Sequence, residues 1–84
     1  MALKYKINMF ETDPEDTSKT FVTLIVADDA AHTFVVSKSV TTGSNTDAQI
    51  IKAVQAAAQT EIDTHFDLAS NIGKTWNPDS ETIE

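Results

Sequence analysis

Near the C-terminus the triplet Gly73-Lys74-Thr75 repeats the last letters of a phosphate-binding loop. That loop, G-x-x-x-x-G-K-[ST], works where it follows a strand and opens a helix, because amides at a helix N-terminus point at the phosphates. Counting back five residues from Gly73 reaches Leu68, where the first glycine belongs. The residues before the triplet have helical spacing, and Trp76-Asn77-Pro78 follows it. Gly73 is therefore expected at a helix C-terminus, whose dipole repels phosphate. No nucleotide or other cofactor is expected.

Glu61 and His65 lie four residues apart and fall inside an apolar stripe. Such a pair could hold a metal ion or make a pH-sensitive contact. One carboxylate and one imidazole do not complete a metal site. The other histidine, His32, stands at the start of a strand and is not recruited. The plainer expectation is a helical i,i+4 pair on a part of the helix that extends beyond a sheet.

Glu11, Asp13, Glu15 and Asp16 crowd one loop. An EF-type calcium loop needs glycine at its sixth position and glutamate at its twelfth. Counted from Glu11 those positions hold Asp16 and Val22, so a solvated charged loop is expected and no metal site is assigned. Serines and threonines are many, but no G-x-S-x-G elbow surrounds any of them. No catalytic residue is named, and no enzyme activity is expected. The lone tryptophan, Trp76, is expected to lie as a lid on the domain's own core, although tryptophan is also enriched at interface hot spots.

The elements that would position these residues can be read from periodicity. Leu3–Phe10 alternates, with Leu3, Tyr5, Ile7 and Met9 on one face and Lys4, Lys6 and Asn8 on the other. Lys19–Ala27 is apolar on both faces, the pattern of a central strand. His32–Val40 follows a short loop at Asp28–Ala31 and forms a third strand. Thr46-Asp47-Ala48-Gln49 is a T-x-x-Q capping box that opens a helix. From there one stripe collects Ile50, Ile51, Val54, Ala57, Ala58, Ile62, Leu68, Ala69 and Ile72.

The expected fold is α+β: a three-stranded antiparallel β-meander (about 3–10, 19–27 and 32–40) packed by one long C-terminal helix (about 47–72). Residues 1–76 form the domain and 77–84 an acidic tail. The helix would be roughly 39 Å long at 1.5 Å per residue. The strands reach about 27–30 Å. The helix is thus expected to outrun its sheet by about ten Å.

Composition narrows the function classes. The chain has 84 residues, a net charge of -7, six lysines as its only basic residues besides histidine, and no cysteine. The missing cysteines exclude disulfides and thiol chemistry. The acidic balance and the absence of arginine argue against direct nucleic-acid binding. No apolar run is long enough to span a membrane, and no signal-peptide pattern opens the chain, so an intracellular or virion location is expected.

In composition the chain resembles phage virion components such as capsid cement, connector or tail proteins, which are commonly small, acidic, cysteine-free and rich in Thr and Ala. The leading expectation is a non-enzymatic structural or interaction protein, oligomeric or bound in an assembly, with protein partners. Glu61, His65, Leu68, Ile72 and Trp76 are the candidate partner-contact residues. The alternative is a soluble acidic inhibitor or DNA-mimic effector that binds a basic partner protein.

Overall fold

A computed structural model of the chain describes residues 2–84. Met1, where the expected 1–76 domain begins, lies outside them. The elements run β1 (Lys4–Thr12), β2 (Lys19–Ala27), β3 (Thr33–Thr41), α1 (Asp47–Ala69), β4 (Trp76–Asn77) and β5 (Thr82–Ile83). The first three strands form an antiparallel sheet in the order β1-β2-β3, with α1 across one face. This is the expected α+β meander and helix.

β2 is central because both of its faces are apolar. Val22, Leu24 and Val26 point at the helix and are fully buried. They meet Ile50, Val54, Ala58, Ile62 and Phe66 of α1 in one core. Burying each such aliphatic side chain contributes about 1.5–3 kcal/mol before chain entropy is charged against it. On the other face Thr23 is buried too, and its hydroxyl shares a 2.9 Å hydrogen bond with Ser37. Among the described residues every buried polar side-chain atom has a hydrogen-bond partner.

β1 differs from its expected alternation. Ile7 pairs with Leu24, but Met9 pairs with Thr23, so Asn8 is an extra residue in a β-bulge. The bulge reverses the facing of everything after it. Tyr5, Ile7 and Phe10 therefore share the helix side, and Met9 joins Lys4 and Lys6 on the other. A regular alternation would set Phe10 on the side of Lys4 and Lys6; the bulge places it on the apolar side.

α1 leans toward β3 and does not reach over β1. Leu3 and Tyr5 still pack against the core, whereas Ile7 and Phe10 stay exposed on the uncovered strip. The helix start is as expected: Gln49 N–H donates to Thr46 Oγ1 at 3.2 Å and Thr46 N–H to Gln49 Oε1 at 2.8 Å. Its end is not. The helix stops at Ala69, and the chain tightens through i→i+3 bonds from Asn71 N–H to Leu68 O and from Ile72 N–H to Ala69 O. Gly73 follows with φ +93°, a conformation that suits glycine. At about 34 Å the shorter helix exceeds the strands by roughly one turn, not by ten Å.

The tail forms a small hairpin. Trp76 pairs with Ile83 and Asn77 with Thr82, and Thr75 and Glu84 exchange backbone bonds of 2.9 and 2.7 Å. The Asn77 side chain accepts from Asp79 N–H at 3.0 Å, an Asx turn that closes the loop. Among the described residues the hairpin lies against neither the sheet nor the helix. The molecule is correspondingly long, 56 × 23 × 16 Å, with a radius of gyration of 16.6 Å. A compact chain of this length would have about 12 Å.

Candidate functional site

Among the candidate residues, His65, Leu68 and Ile72 converge. With His32, Thr33 and Ala69 they line an apolar cavity of about 390 Å³ at the end of the molecule where α1 stops. Its walls come from the start of β3 and the last turns of α1. Leu68 and Ile72 are 65% and 69% exposed, so they form its rim and do not close the core stripe. Ala57, also assigned to that stripe, is exposed, while Phe66, not assigned to it, is buried.

Glu61 and His65 do not pair with each other along the helix. Each reaches to β3 instead, so neither overhangs the sheet. Glu61 bonds the Lys38 ammonium. His65 stacks on Phe34, and Phe66 meets the same imidazole edge-on at 5.0 Å. Glu61 is not part of the cavity. Trp76 is 57% exposed on the hairpin, which overturns its expected place as a lid on the core. After Gly73 the chain enters the hairpin, whose strands contact neither the sheet nor the helix among the described residues.

A second pair was not anticipated. Asp28 closes the β2–β3 loop by accepting from Ala30 N–H at 3.0 Å and His32 N–H at 2.8 Å. Its second oxygen lies 2.9 Å from His32 Nδ1. Burial would raise the Asp28 pKa, but the bonds from the His32 ring and backbone outweigh it and hold the carboxyl below its ordinary value. The signal was present in Asp28-Asp29-Ala30-Ala31-His32, an aspartate placed to bond amides two and four residues on.

An aspartate that orients an imidazole is half of an acid–base device. Its other half would be a hydroxyl bonded to the ring. Thr33 lines the same cavity, but no hydrogen bond joins it to either histidine among the described residues.

The acidic loop builds itself. Asp13 accepts from Ser39 Oγ at 2.6 Å and from Glu15 N–H at 2.8 Å, bonds that lower its pKa. Asp16 accepts from the Ser18 hydroxyl and N–H, and its pKa is lowered by the same bonds. A second cavity of about 320 Å³ lies here, lined by Glu11, Asp13, Pro14, Glu15, Phe21 and Ser39. Among the described residues no three His, Asp or Glu side chains converge as a metal site would require. No described helix is long and apolar enough to cross a membrane. No protein-family model, curated protein or solved structure matches this chain.

Proposed function

We propose that the chain is a non-enzymatic structural or interaction subunit of a larger protein assembly, such as a phage virion. One observation carries the reading: the Trp76–Ile83 hairpin projects from the domain with both apolar side chains more than half exposed. A two-stranded hairpin of this size is marginal in water by itself. Exposed tryptophan is costly for a free monomer and favourable in an interface. Leu68 and Ile72 add apolar surface close to the hairpin's root.

The acidic-effector alternative draws less support. Asp13, Asp16 and Asp28 each accept backbone hydrogen bonds within their own loops, so these three carboxylates are held by the chain itself.

The test is sedimentation of the chain from its native source on a density gradient. The expected result is co-migration with a particle far heavier than the 9.2 kDa polypeptide. Recovery of the chain only among free small proteins would refute the assembly role.

A further inference from the structure

We propose that two copies of this chain form a twofold dimer in which the Trp76–Ile83 hairpin of each seats in the other's apolar cavity, against Leu68 and Ile72. The proposal rests on the assembly reading and names its first contact.

The geometry favours a second copy as occupant. The cavity and the hairpin sit at the same end of the molecule: Ile72 forms the cavity rim, and Trp76 lies four residues further on. The hairpin does not fill its own cavity, since neither Trp76 nor Ile83 lines it. Two copies that meet by this end about a twofold axis each offer a hairpin and a cavity, and the contact closes on itself. A straight head-to-tail chain is favoured where hairpin and cavity lie at opposite ends, which is not the case here.

Area and charge set how strong this contact is. Each Trp76 is 57% exposed, so two docked indoles remove about 170–290 Å² from water. That is about 10–20% of the 1,600 Å² of a standard interface. Ile83, Leu68 and Ile72 of both copies, with the main chain around them, supply more. The hairpin carries Asp79, Glu81 and Glu84, and no carboxylate lines the cavity that receives it. Each copy bears a net charge of -7, so long-range repulsion opposes the dimer and added salt strengthens it. A charge-driven complex with a basic partner would respond in the opposite sense.

The chain's single tryptophan makes the contact directly readable. The experiment is sedimentation velocity and intrinsic fluorescence of the full chain across concentration, at low and high salt. The expected result is a dimer whose Trp76 emission moves to shorter wavelength as it forms. Trp76→Ala and Leu68→Lys each weaken dimerisation tenfold or more, with unchanged far-UV circular dichroism. Ile7→Lys, on the uncovered strip of β1, leaves the dimer intact.

A chain that stays monomeric with unshifted emission up to millimolar concentration overturns the proposal. So does a dimer indifferent to Trp76→Ala, or an open polymer. A monomer that nonetheless co-sediments with a particle refutes self-docking and leaves the assembly role standing. A dimer absent from any particle does the reverse.

Discussion

The imidazole of His65 in α1 lies face to face with the ring of Phe34 in β3, centroids 4.4 Å apart and planes 14° from parallel. This stack fastens the last turns of the helix to the edge strand, next to the apolar cavity. His65→Ala is expected to destabilise the fold by about 0.5–1.5 kcal/mol, the usual worth of an aromatic pair. His65→Phe retains most of it. Urea unfolding of the three proteins measures the difference, and equal midpoints would remove the stack from the account.

Acid should act through the loops. The carboxyls of Asp13, Asp16 and Asp28 all lie below their ordinary values. A depressed carboxylate contributes stability above its unfolded value of about 3.9, and that contribution is lost as pH falls through the lower folded value. The thermal midpoint is therefore expected to drop in a limb that begins near pH 4 and continues below it. Asp28→Asn makes that limb shallower. A variant with an unchanged acid limb would show that the Asp28 bonds carry no linkage.

Thr46→Ala removes the helix cap and is expected to cost about 1 kcal/mol. Thr46→Ser, which keeps the hydroxyl, costs a few tenths at most. The comparison is made by urea midpoint at neutral pH. A loss equal in both variants would point to the Thr46 methyl group and away from the cap.

Leu24 is fully buried between β2 and the helix, and Leu24→Ala is expected to cost about 2–5 kcal/mol. A domain of 84 residues has a total stability of roughly 4–13 kcal/mol. The variant is thus expected to be partly unfolded at 37 °C by circular dichroism. Val35→Ala, on an exposed site of β3, leaves the signal unchanged.

The sequence was most readable where one residue type had one physical use. β2 appeared at its true limits because nine residues apolar on both faces suit little except a central strand. The start of α1 was readable because Thr46 and Gln49 satisfy each other's backbone donors. Its end was not, because Leu68 and Ile72 continue the apolar spacing while the backbone has already tightened after Ala69.

The hairpin escaped detection because two-residue strands have no period. Its trace was the turn chemistry of Asn77-Pro78-Asp79-Ser80 between Trp76 and Ile83. The partners of Glu61 and His65 depend on how α1 is set against β3, which no local pattern encodes. The cavity joins His32 to residues more than thirty positions away in the chain, so only the fold assembles it.

The bulge at Asn8 also bears on how this chain tolerates changes in length. Losing Asn8 would leave Tyr5, Ile7 and Phe10 all on the helix side, because the strand then alternates regularly through that point. Losing one residue inside β2 would instead turn part of the Val22, Leu24 and Val26 set away from the helix and bring polar threonines in. Single-residue gaps that distinguish related chains should therefore collect at this point of β1 and be absent from β2.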